Sequence, residues 1–219
     1  MSKILKTSKY YNFETFTFVL DKNEIMELTR FEMAMLFIDK ENSEDINTII
    51  IDGVKQSKEL LYSQRMTKKL LQFEPNASEA LQIGARAQHI CRWKIARNEY
   101  AMDRVGYLKW RETLKKMHAS ITSEILQKVG FDTQFINRVE NIMLKKFLKK
   151  NEESQTLEDT ICLVFLADYF EEFAEKHTDE KVIDILKKTW VKMSKKGHNA
   201  ALTISFSDKS FALVKQAIS

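Results

Sequence analysis

The sequence is poor in the residues that make turns. It has one Pro and five Gly among 219 residues. A β-rich chain of this length needs many tight turns, and tight turns draw on Gly and Pro. That scarcity excludes a β-rich fold and predicts long helices with few breaks. Cysteine is scarce too: Cys91 and Cys162 are the only two, which implies no disulfide framework. Charge of one sign is also lacking. Thirty-five Lys and Arg against 31 Asp and Glu leave a net +4, and the two signs mostly alternate. A nucleic-acid surface concentrates its basic residues, so a nucleic-acid partner is not expected. The main cluster of cations is Lys145, Lys146, Lys149 and Lys150, which reads as a solvated helix end or as an anion-binding patch. No long hydrophobic run exists. The longest, Ile161 to Ala167, falls far short of the ~20 residues of a membrane span. The opening MSKILKTSKYYNFETF lacks the apolar centre of a signal peptide. A soluble cytoplasmic protein with no membrane partner is therefore expected.

What the chain does contain is 44% hydrophobic and 30% charged residues, enough for one sizeable core. Residues 1–22, with Phe13, Phe16, Phe18, Val19 and Leu20, read as a short strand or an extended arm. From about residue 24 a helical period takes over. Ile25, Leu28, Phe31, Met35 and Ile38 mark a first helix ending near Asp39, followed by a polar loop, 41–48. Ile49–Ile51 stops at the turn dipeptide Asp52-Gly53. Ser57 is placed to cap a second helix reaching Phe73, and Ser78 a third reading as helix to Trp93. A non-helical bridge spans 94–102. Asp103 opens a long helix that Gly130 stops. Asp132 opens the next, which extends to Phe147. After a polar loop, Thr156 begins a helix apolar on every side, as a central core helix is. Two more helices follow, 180–194, ended by Gly197, and 208–218. The expected architecture is all-α: a bundle of about eight helices over residues 23–219 as one domain, behind an N-terminal arm.

The densest polar segment is residues 85–111. It carries Arg86, His89, Arg92, Trp93, Arg97, Tyr107, Trp110 and Arg111. On one helix, Arg86, His89 and Trp93 share a face. Two readings stay open. One is an Arg–carboxylate network stapling a loop around Trp cores. The other is a pocket in which Arg86, Arg92, Arg97 and Arg111 hold an anionic, nucleotide-like ligand beside Trp93 and Tyr107. His118 lies midway along the long helix. Glu158 and Asp159 follow the cap of a later helix, and Asp168 sits among Leu166, Tyr169 and Phe170, where a carboxylate wants a cation or a metal. His89, His118 and a carboxylate from 158–168 come from different helices, which is how helical folds build metal sites. HICR (89–92) and KMSKK (192–196) look like fragments of the two class I aminoacyl-tRNA synthetase signatures. The first needs a Gly where Cys91 stands and a second His where Arg92 stands, and no strand–helix alternation surrounds it, so that match is set aside.

The runs ELLYSQRMT (59–67), ASEALQIGARAQHICRW (77–93), YAMDRVGYLKWR (100–111), QTLEDTICLVFL (155–166) and KTWVKMSKKGHNAAL (188–202) resemble the family catalogued as domain of unknown function 4202. Ala96 and Ala101 stand where that family usually has Pro. More distantly, the layout is similar to the HD superfamily of metal-dependent phosphohydrolases. That resemblance implies a divalent metal, Mn²⁺ or Mg²⁺, held by His89, His118 and Asp159 (or Asp168). It makes His118 and Glu158 the candidates for positioning water against a nucleotide or other small phosphorylated compound. Ile90 stands in place of the doublet Asp, and no His occupies the upstream slot near Tyr62 to Gln64. With ligands missing from that set, the alternative is a pocket that binds an anionic ligand without catalysis.

Overall fold

The computed structural model describes residues 28–218, so the expected arm and Ile25 lie outside the described residues. The first helix, α1 (Arg30–Ser43), opens on a capping box. The amide of Glu32 donates to Thr29 Oγ1 at 3.2 Å, and the Thr29 amide donates back to the Glu32 carboxylate at 2.9 Å, so two orphan amides of the first turn are satisfied together. α1 runs four residues past Asp39. The polar residues after it form a short loop, and then β1 (Thr48–Ile51) pairs antiparallel with β2 (Val54–Ser57). Asp52 and Gly53 both take positive φ between them, the backbone of a two-residue hairpin turn. The Asp-Gly turn was legible; the small sheet around it was not.

α2 (Lys58–Phe73) follows. Its expected cap, Ser57, instead donates its hydroxyl to the Ser43 carbonyl, while Asp45 accepts from the Glu59 amide at 3.1 Å. α3 (Glu79–Arg86) is capped by Ser78 as expected, but it stops at Arg86. Residues 87–91 are turns, Cys91 takes a left-handed φ of 56°, and two 3-10 turns cover Arg92–Lys94 and Arg97–Glu99. This corrects the helix expected to run to Trp93. The chain leaves the helix because tertiary partners claim its backbone: Asn42 Oδ1 accepts from the Cys91 amide and His118 takes the Ile90 carbonyl.

α4 (Arg104–Lys128) and α5 (Thr133–Met143) are capped by Asp103 and Asp132, and Gly130 supplies the left-handed turn between them. α5 ends four residues before Phe147. Asn151, not Thr156, caps α6 (Glu152–Asp168). α7 (Phe170–Glu175), α8 (Asp179–Lys192), α9 (Lys195–Ala201) and α10 (Asp208–Ile218) complete the described chain. Gly197 lies inside α9, so the stop expected of it falls instead at Met193, whose backbone is extended.

The core has two clusters that meet on α6. Leu157 and Val164 face α1 to α5, while Cys162, Leu163 and Leu166 face α7 to α10. A helix with apolar residues on every side is explained by that double burial. The described residues make an all-α fold plus one hairpin, and no helix among them is long and apolar enough to cross a membrane.

Candidate functional site

Because α3 breaks at Arg86, the residues expected on one helix face separate into two environments. Arg86 turns inward and is 3% exposed. Its Nε and one terminal nitrogen grip both oxygens of Asp39 at 2.6 and 2.5 Å, and the other terminal nitrogen reaches Thr67 Oγ1 at 3.3 Å. A guanidinium committed in this way bridges α1, α2 and α3 and is not presented to a ligand.

The side chain of His89, three residues on, is 28% exposed. Its ring stacks on Tyr62 of α2 at 4.0 Å between centroids, and its Nδ1 lies 3.3 Å from Glu59. Arg92 approaches the same carboxylate at 3.7 Å and lies over the Trp110 ring at 4.8 Å. The His118 ring, rising from α4, is 6.0 Å from that of His89. His118 Nδ1 sits 2.6 Å from the Ile90 carbonyl oxygen. A carbonyl only accepts, so Nδ1 carries the proton and Nε2 is a bare lone pair. That Nε2 is buried and has no hydrogen-bond partner among the described residues. Buried polar atoms almost always find partners, so this one marks a place where a donor belongs.

The cations around this pair set its electrostatics. Burial first, then Arg92, Arg111 and Lys145, hold His89 well below the usual imidazole range. Burial and the neighbouring His89 push His118 down to about 3. Burial raises Glu59, against the pull of Arg92. Lys145, from the turn after α5, reaches inward to pair with Glu158, and burial lowers it. Lys192 lies 4.0 Å from the second oxygen of Glu158. Arg111 is exposed and bonds only the Tyr107 hydroxyl, at 3.4 Å; among the described residues no carboxylate pairs with it. Around the two imidazoles Arg92 is thus paired with Glu59 and Lys145 with Glu158, and Arg111 is the one of the three cations without a carboxylate partner among the described residues.

A pH dependence follows from His118. Folded, it stays neutral down to about 3; unfolded, it takes up a proton near 6.5. Its contribution to stability is complete above 6.5 and is lost as pH falls from there toward 3. At pH 5 the loss is about 2 kcal/mol relative to pH 7. Glu59, raised when folded, acts in the opposite direction, so the test compares two proteins. Urea unfolding at both pH values should show a larger acid loss for wild type than for His118→Gln. Equal losses would refute a buried neutral imidazole.

The remaining expected site residues lie elsewhere. Asp159 is spent on the start of α9: its oxygens accept from the Ser194 amide at 2.8 Å, the Ser194 hydroxyl at 2.5 Å and Gln155 at 3.1 Å. A Cβ on Gly197 would come within 2.7 Å of that carboxyl carbon, so α9 is seated directly on it. Asp168 meets Arg65 at 3.7 Å. The expected set of His89, His118 and Asp159 therefore does not assemble, and no group of three His, Cys, Asp or Glu side chains among the described residues is placed to hold a metal ion. A hard divalent cation needs more oxygen donors than the imidazole pair supplies, so this donor set does not fit one. Arg97 bonds the carbonyls of Tyr100, Ala101 and Asp103 at 3.0, 2.8 and 3.2 Å, stapling the 94–103 loop. Trp93 is partly buried against the core, and the guanidinium groups of Arg97 and Arg111 lie 5.9 and 6.0 Å from the Tyr107 ring centroid.

Glu59, Tyr62 and Lys145 belong to the site and were not expected there. Tyr62 entered the sequence reading only as part of a slot, Tyr62 to Gln64, that holds no His. Nothing in the spacing marked Glu59. Lys145 was hidden among the lysines around it. A shallow open concavity of about 560 Å³ lies apart, lined by Thr133, Gln134, Asn137, Arg138, Asn141 and Asn151. Arg138 there is already held by Glu153, which leaves only neutral amides and hydroxyls facing it.

Fold and site together define an all-α protein in which His89 and His118 meet beside Glu59, Tyr62 and Arg92. The chain belongs to the family described as Domain of unknown function (DUF4202), whose model matches residues 32–214. No curated protein and no solved structure matches it.

Proposed function

We propose that this protein binds a small phosphorylated compound, with nucleotides among the candidates, in the opening formed by Arg92, Arg111 and Lys145 above His89 and His118. The carrying observation is that, of these three cations, Arg92 has Glu59 and Lys145 has Glu158, while the exposed Arg111 has no carboxylate partner among the described residues. An exposed guanidinium without a carboxylate partner favours a phosphate, which accepts bidentate bonds. Calorimetric titration with inorganic phosphate, pyrophosphate, nucleotides and sugar phosphates tests this. Arg111→Ala is expected to weaken binding by about tenfold and to leave the melting temperature unchanged, since the side chain is exposed. Absence of binding across the panel, or equal binding by the variant, would sink the proposal.

A second reading, hydrolysis of the bound phosphate ester, is favoured by the unpaired Nε2 of His118. That lone pair can accept from a hydroxyl or a water beside the phosphate. Release of phosphate from the same panel, with and without added Mn²⁺ or Mg²⁺, separates hydrolysis from binding alone.

A further inference from the structure

The turn between α5 and α6 is unusual outside that site. Lys145, Phe147 and Lys149 take left-handed φ of 54°, 58° and 71°, in a stretch without glycine. Each such residue costs roughly 1–2 kcal/mol. One return is clear: the turn sends Lys145 inward to Glu158. The other is that Phe147 is held 73% exposed. A strained backbone that keeps an aromatic ring in water points to a partner for that ring.

The ring is not isolated. Lys149 Nζ donates to the Val191 carbonyl at 3.4 Å, which brings the turn against the C-terminal end of α8. Val191 there is 71% exposed. Lys146, Lys149 and Lys150 flank Phe147 in sequence, Lys192 follows Val191, and all four are exposed. Lys146 approaches Glu140 only at 3.9 Å and Lys192 approaches Glu158 at 4.0 Å. Among the described residues neither Lys149 nor Lys150 has a carboxylate within ion-pair distance. The Lys149 bond thus ties a turn carrying one exposed apolar side chain and three exposed lysines to a helix end carrying another exposed apolar side chain and a fourth lysine.

We propose that this face docks on an anionic lipid surface. Phe147 and Val191 enter the boundary between headgroups and acyl chains, and the lysines lie against the headgroup charge. Charge complementarity selects an anionic partner, and the aliphatic tip selects lipid over single-stranded nucleic acid. Bases stack on aromatic rings, and Val191 has none to offer. Two apolar side chains and four lysines make the attachment peripheral and reversible, with each lysine near an anionic surface contributing about 1 kcal/mol.

The test is co-sedimentation of the full chain with phosphatidylcholine vesicles, with and without phosphatidylserine, at low and high salt. Binding should require phosphatidylserine and fall with salt. The double variant Lys149→Glu, Lys150→Glu should reduce partitioning by on the order of tenfold or more. Phe147→Asn, which keeps a residue tolerant of the left-handed backbone, should reduce it several-fold. Phe147→Asn should melt with the wild type, and Lys150→Glu alone, which removes no bond, should also melt with it and still reduce partitioning. Arg111→Ala should bind vesicles normally, which separates this face from the phosphate site. Binding that ignores phosphatidylserine, or that survives both variants, overturns the proposal. So does a single-stranded oligonucleotide that binds in place of vesicles and is lost with Phe147→Asn, or a loss of vesicle binding in Arg111→Ala.

Discussion

Arg86→Met is expected to destabilise the folded chain by about 3–5 kcal/mol, the cost of leaving one member of a buried ion pair without its partner. Asp39, with only 5% of its surface exposed, would lose both short bonds from Arg86. Arg86→Lys should rescue little, because an ammonium is a point charge and cannot grip both carboxylate oxygens in a fork. The double variant Asp39→Asn, Arg86→Met should recover part of the loss, since no bare charge remains. Urea unfolding measures all three. A single variant within about 1 kcal/mol of wild type, the ordinary range for a surface change, would refute the structural role. Phosphate affinity of the folded fraction should be unchanged, and this outcome distinguishes Arg86 from Arg111.

Gly106→Ala is expected to cost about 3 kcal/mol, the upper range for overpacking. A Cβ at that position would lie 2.1 Å from the Ala101 carbonyl oxygen and 2.8 and 2.9 Å from the carbonyl carbon and amide nitrogen of the same residue. These are backbone atoms, so no rotamer change relieves the contact. The loop must move as a unit, and Arg97 ties that unit together through three of its carbonyls. The displacement should reach the base of the site, because Trp110, over which Arg92 lies, donates its indole N–H to the Ile95 carbonyl at 3.0 Å. A lower melting temperature together with weaker phosphate binding is the expected pair of results. A variant that melts with the wild type would show that the loop has freedom this packing denies.

The helix starts at Asp103, Asp132 and Ser78 were legible because a cap is a local event: the side chain and the amides it serves lie within three residues. The double-sided burial of α6 was legible from the unbroken apolar run around Ile161. The end of α3 was not. Residues 87–93 carry no breaker, and the helix yields there to contacts from Asn42 and His118, far away in sequence. For the same reason Ser57 lost its capping role to Asp45, and Phe147 left the helix its periodicity assigned it.

The site divides along the same line. His89, Arg92, Arg111 and His118 were identifiable as a group by their density in one segment and by two imidazoles on separate elements. Their roles were not, because a role depends on which partner each side chain reaches. Arg86 and Asp159 resemble ligand-binding residues in sequence, yet Asp39 and Ser194 claim them completely. Lys145 resembles its solvated neighbours, and only a left-handed backbone turns it inward. Sequence alone determined the helical class, most helix starts and the cationic, imidazole-bearing character of one segment, since these follow from composition, period and local hydrogen bonding. Tertiary structure alone decided which cations are held by carboxylates, because long-range ion pairing consumes some charges and leaves others, and spacing along the chain carries no record of that pairing.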